Sequence, residues 1–201
     1  MPHRASTPPE PFGPSRSRLI VKHHRISGIA RSDVDLLFGR FGDVMVSSAG
    51  SWATGDWARR RDGFEDWCAY EVLDGTQTVA FSTYRFVEIN RRPAVHVSAT
   101  YVLPSVRSSG IALSLMSRIV FRELRRRTRS GHYWVSDALN PVVLDGWRRR
   151  VPERALYPQA RGEPGEAGPL SDVAAEAASL LYPGVDFDRE TGVLHSKTQP
   201  R

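Results

Sequence analysis

The chain has 201 residues, 40 % hydrophobic and 25 % charged, with a formal charge of +6 from 28 basic and 22 acidic side chains. That mixture suits one globular domain and excludes a chain disordered throughout, and no apolar run approaches the roughly 20 residues that a bilayer span requires. A single cysteine, Cys68, excludes an internal disulfide, argues against a cysteine-based metal site and points to a reducing cytoplasm. Residues 1–18 carry Pro2, Pro8, Pro9, Pro11 and Pro14 and no apolar h-region, so they read as a disordered tail and not as a secretory signal. Residues 19–201 read as one domain. Leu19 to His24 suggests a first strand. Ser32, with Asp35 three residues on, resembles a capping box and predicts a short amphipathic helix ending near Gly42. Residues 50–63, rich in Trp, Gly and Arg, suggest a loop with one or two helical turns.

The middle of the chain is β-rich. Cys68–Leu73 is followed by the hairpin signal Asp74-Gly75, then by Gln77–Ile89, a turn at Asn90–Pro93, and Ala94–Leu103. Three such segments predict an antiparallel meander. From Ile111 the apolar period changes to helical, through Ala112, Leu113, Leu115, Met116, Ile119, Val120 and Leu124, with Gly131 as the expected end. His132–Leu139 predicts a further strand, and Asn140-Pro141 a helix toward Trp147. Residues 159–169 suggest a loop, Ser171 a cap for a last helix through Leu181, and Val193 a short strand. The fold class is α/β (α+β): a mixed sheet, meander first, then strand–helix–strand–helix, with a divergent C-terminal part over 155–201.

Basic residues are almost all arginine, with only Lys22 and Lys197 as lysines, so composition explains much of the charge. Its distribution is uneven. Residues 118–129 hold six arginines and one glutamate, whereas 161–201 hold four basic and seven acidic residues. The cluster Arg122, Arg125, Arg126, Arg127 and Arg129 reads as a solvated helix end, with a CoA phosphate or a nucleic-acid backbone as the functional alternatives.

The segment with the most chemistry is Val102-Leu103-Pro104-Ser105-Val106-Arg107-Ser108-Ser109-Gly110-Ile111-Ala112. A strand runs into a polar loop that opens a long helix. Successive N–H groups and the helix dipole at such a start suit phosphate oxygens, and a glycine there lets the backbone approach the anion. The same residues match every fixed position of V-x-P-x-x-[RQ]-x-x-G-x-[GA], and so resemble the acyl-CoA motif of the GCN5-related N-acetyltransferases. The resemblance covers roughly residues 19–150. It implies acetyl-CoA or another acyl-CoA as cofactor, held by Val102, Leu103, Arg107, Ser108, Ser109, Gly110, Ile111 and Ala112. It further implies Asn140 beside the cofactor and direct acyl transfer to an amine in a ternary complex, with an N–H near Val102 or Leu103 polarising the thioester. The family often has a tyrosine acid seven residues after that asparagine. Here the position is Trp147, whose indole N–H is a donor only.

Amine acylation needs a base or water relay. Strict alternation would put His96, Ser98, Thr100 and Val102 on one strand face, so His96 is the first candidate. Its plainer reading is a histidine on a half-exposed strand. Glu88 and Asp137 are the other candidates. Cys68 reads as a small buried hydrophobe, and His23-His24 as a solvated strand end without a third metal ligand. A small-molecule amine is the expected partner, a membrane is not, and a homodimer stays open. The competing functions are a non-catalytic acyl-CoA-binding or regulatory protein and, less favoured for want of interleaved aromatics, a nucleic-acid-binding protein.

Overall fold

The computed structural model describes residues 19–124 apart from positions 52, 62 and 108, then 132–136 and 169–195, with positions 145, 147–149, 155 and 157. The predicted tail, positions 159–168 of the predicted loop, Ser108, Arg125–Arg129, Asp137 and Asn140 lie outside the described residues. Five strands form one sheet in the order β1 (Ile20–Arg25), β2 (Cys68–Asp74), β3 (Gln77–Ile89), β4 (Arg92–Val102) and β5 (Tyr133–Ser136). All pairings are antiparallel except β4 with β5, which is parallel. The meander and the period change are therefore both present. A two-residue pair, β6 (Asp186–Phe187) with β7 (Leu194–His195), lies near the C-terminus.

Helices cover both faces of the sheet. On one, α1 (Arg31–Ala49) and α2 (Ala53–Arg59) pack Leu37, Phe38, Phe41 and Trp57 onto Ala69, Phe81 and Ala99. On the other, α3 (Ile111–Arg118) packs Ile111, Leu115 and Met116 onto Tyr70, Tyr84, Val95 and Val97. The C-terminal helix α4 (Pro169–Leu181) sets Val173 and Ala177 against Ile89 and Ala94 at the far end of the α1 face. No helix among the described residues is long and apolar enough to cross a membrane.

Three local expectations are corrected. The first helix does not stop near Gly42 but continues to Ala49, and its N-cap is Ala30 without a side-chain cap from Ser32. A glycine within a helix costs only about 1 kcal/mol. The buried Leu37, Phe38, Phe41, Val44 and Met45 outweigh that cost, and Gly50 at φ 91° ends the helix. The third helix is not uniformly α-helical: it passes into a π-helix at Ile119–Leu124. Ser171 does not cap α4, which starts at Pro169 and buries Ser171; proline suits a first helical position because its missing N–H would have no partner there.

Gly42 has a second role. A Cβ there would stand 3.2 Å from Trp57 Cδ1. Trp57 is buried and cannot easily yield, since its indole Nε1–H donates to the Phe38 carbonyl at 3.0 Å. Gly39, three residues earlier, has no heavy atom within 4 Å of the same point. Gly39→Ala should therefore raise stability by about 0.5–1 kcal/mol. Gly42→Ala should forfeit that gain and lower the denaturation midpoint. Chemical denaturation of the two variants checks the opposite signs.

Candidate functional site

The site is assembled where β4 hands over to α3. β5 pairs with β4 only over Ala94–Val97, so among the described residues β4 runs beyond its parallel neighbour from Ser98 to Val102. At that point the β3–β4 register skips one residue: Tyr84 faces Val97 and Thr83 faces Ala99, leaving Ser98 as a bulge. The bulge reverses the facing pattern. Val97 and Val102, an odd number of positions apart, belong to the same α3-side cluster.

His96 is thereby moved off the face predicted for it. It does not share a side with Thr100 and Val102. It lies on the α1 side, its ring 5.5 Å from Trp67 and 6.1 Å from Tyr182. Nor is it half-exposed: it is 3 % exposed, with Nε2 3.4 Å from the Tyr182 hydroxyl. Glu88 is exposed and opposite Pro93, five residues along β4 from the bulge, or roughly 16 Å. The structure does not bring it to the junction.

Beyond Val102 the chain makes a 3₁₀ turn at Pro104–Val106, and Gly110 then caps α3 with φ 79° and ψ 5°. That is left-handed backbone, and a Cβ on Gly110 would meet no heavy atom within 4 Å. The approach to the helix start is open, and no acidic residue occupies the first turn. The N–H groups of the first turn have no acceptor within the helix and point outward from its end. Ile111 is buried, so only its main chain can serve a ligand, whereas Ala112 is exposed. Ser109 Oγ donates to the Val106 carbonyl at 2.6 Å and holds the turn closed.

Two other groups are already engaged. Leu103 N–H donates to the Val79 carbonyl at 2.9 Å, so it is not available to a thioester. Alternation along the strand turns Val102 N–H the other way, away from β3. The Val102 carbonyl follows the same direction and accepts from Ser48 Oγ at 3.0 Å and Arg107 Nε at 3.4 Å. Arg107 also donates from Nη2 to the Ser48 carbonyl at 2.6 Å. Arg107 thus ties the end of α1 to the end of β4. Ser48 had no sequence signal, because its role depends on where α1 ends.

On the α1 side of the bulge, Arg60 at the end of α2 donates from Nη1 to the Ser98 carbonyl at 3.2 Å and also to Ser98 Oγ. Arg85, the cross-strand partner of His96, lays its guanidinium over Trp67 at 4.9 Å from the ring centroid. Trp147 packs edge-to-face on Trp134 of β5, with centroids 4.5 Å apart.

His23 and His24 are not a merely solvated strand end. His23 Nε2 lies 2.7 Å from the Tyr84 hydroxyl, and burial lowers its pKa. Tyr84 is pushed up, mainly by burial, and Cys68, half-buried, is hydrogen-bonded to it. Tyr70 is pushed up to about 12 by burial and by its hydrogen bond to Glu123. On the opposite face, Glu71 is buried and accepts from His24, from Arg40 Nε at 3.0 Å and from Thr78 Oγ1 at 2.6 Å. No group of three or more metal-ligating side chains occurs among the described residues.

No protein-family model matches the sequence, and no curated protein sequence is similar to it. Solved structures are. One is a GCN5-related N-acetyltransferase from Ralstonia eutropha JMP134, 15 % identical, covering 67 % of this chain and 92 % of that one, with a TM-score of 0.48. Another is the aminoglycoside acetyltransferase AAC(6')-Iy in complex with a bisubstrate analogue, 12 % identical, covering 73 % and 100 %, with a TM-score of 0.49. A third is a ribosomal-protein-alanine N-acetyltransferase from Brucella melitensis biovar Abortus 2308, 13 % identical, covering 67 % and 91 %, with a TM-score of 0.45.

Proposed function

We propose that the chain is an acyl-CoA-dependent N-acyltransferase, moving an acetyl or other short acyl group from CoA to a small-molecule amine in a ternary complex. One observation carries this reading: the bulged strand β4, which among the described residues outruns its parallel partner, leads through a short turn into a glycine-capped helix start. The residues present fit an acyl-CoA. The open cradle at Gly110 and the acid-free first turn of α3 suit a pyrophosphate, with Ser109, Ile111 and Ala112 contributing around it. Arg107 ties the loop to the ends of β4 and α1 through the Val102 and Ser48 carbonyls.

The bound thioester supplies an activated acyl carbon. Val102 N–H, aimed away from β3, donates to the carbonyl oxygen on which charge develops. His96, beside the Tyr182 hydroxyl, would take a proton from the acceptor's ammonium on the α1 side, so that the neutral amine attacks. Trp147 offers no ionisable proton, so protonation of the departing thiolate falls to another group or to solvent. The second reading, an acyl-CoA-binding protein without turnover, is favoured by that tryptophan and by Glu88 lying far from the bulge.

Acetyl-CoA should bind and raise the melting temperature. At ligand 100 times its dissociation constant the stabilisation is about 2.7 kcal/mol. Calorimetry showing no heat with acetyl-CoA or longer acyl-CoAs sinks the cofactor assignment. Binding without release of free CoA in the presence of amines favours the non-catalytic reading.

A further inference from the structure

Arg85 projects from β3 on the α1 side, the side on which His96 lies. Its Nε is buried and has no hydrogen-bond partner, and no ion pair joins its guanidinium to a carboxylate among the described residues. Its guanidinium lies over the face of Trp67. A half-buried guanidinium normally satisfies its donors, because desolvating them without acceptors is costly. The other basic group at the bulge, Arg60, is turned onto Ser98. His96, across the ladder from Arg85, and Tyr182, at the end of α4, complete the wall. Ser98 lies two residues from His96, or roughly 7 Å along the strand, so a small molecule can span from Arg85 to the bulge.

We propose that this cluster is the acceptor subsite, and that Arg85 reads a carboxylate carried by the amine, so that the acceptor is an amino acid or a short peptide and not a polycation. This rests on the acyltransferase reading for its chemistry, but the anion site stands on its own contacts. A planar guanidinium offers a carboxylate two parallel N–H donors, a geometry that an ammonium cannot reproduce. Trp67 covers the guanidinium from one side. A polyamine would meet like charge at Arg85 and Arg60.

The test uses the full chain without acyl-CoA. Calorimetry is run with the N-acetyl derivatives of glycine, alanine and phenylalanine, each as the free acid and as the amide, and with spermidine. The acids should bind about 10- to 100-fold more tightly than the matching amides, as a charge-assisted pair predicts. Arg85→Met should erase the preference for the acid and leave acetyl-CoA binding unchanged. Arg85→Lys should restore part of it, which separates ligand recognition from a folding defect; thermal melts verify that both variants fold. Equal binding of acid and amide, tighter binding of spermidine, or an unaltered acid preference in Arg85→Met each overturns the proposal. A wild-type chain that prefers acids yet does not bind acetyl-CoA refutes the acyltransferase reading alone.

Discussion

Gly110→Glu is expected to abolish acyl-CoA binding while leaving the chain folded. Gly110 sits at φ 79°, and a non-glycine residue there costs about 1–2 kcal/mol in backbone strain. The larger effect is electrostatic. A carboxylate about 4 Å from a phosphate, at an effective dielectric constant near 20, costs about 4 kcal/mol, or roughly a thousandfold in affinity. Gly110→Asn is the matched control, because asparagine tolerates left-handed backbone and brings no charge; it should stay within about tenfold of the parent. Titration of both variants with acetyl-CoA checks this. Equal binding by Gly110→Glu and the parent would remove the cofactor from the start of α3.

The second large effect concerns stability at low pH. Burial alone would raise the Glu71 carboxyl, but hydrogen bonds from His24, Arg40 and Thr78 more than offset it and hold the group at about 2, against an ordinary value of 4.5. The folded chain therefore binds this proton less readily than the unfolded chain. The resulting stabilisation, on the order of 3 kcal/mol, is complete above about pH 4.5 and is lost as pH falls toward 2. Glu71→Ala should cost about 3–5 kcal/mol at neutral pH, because it leaves Arg40, His24 and Thr78 without their shared acceptor. Melting curves between pH 2 and 6 should show the wild-type slope flattened in Glu71→Gln. An identical slope in the two proteins would assign the acid sensitivity to other groups.

Local signals carried much of the architecture. Asp74-Gly75 and Asn90-Arg91 mark real hairpins, the latter with both residues at positive φ. The switch from strand to helical period at Ile111 marks the α3 start. The V-x-P to G-x-A run falls on the junction of β4 and α3. What stayed hidden depends on contacts distant in sequence. The partners of Arg107, the carbonyls of Ser48 and Val102, lie on elements that only the fold brings together. Arg40 and Glu71, 31 residues apart, carry no motif at all. His96 was assigned to the wrong face because a period of two assumes an unbroken ladder, and nothing in the letters around Ser98 announces the skipped partner. Arg85 and Tyr182 drew no notice for the same reason: their meeting with Trp67 and His96 is made by a turn, two strands and the end of a helix.

Ser98 acts on β4 as a frameshift acts on a message. Upstream of it, even-numbered side chains look toward α1 and α4; downstream of it, even-numbered side chains look toward α3. Both halves of the strand still face both sides, with Val95 and Val97 upstream and Val102 downstream toward α3, and His96 upstream and Ala99 downstream toward α1, but the parity is exchanged at Ser98. Removing the extra residue would merge the two frames and turn one half of the strand inside out.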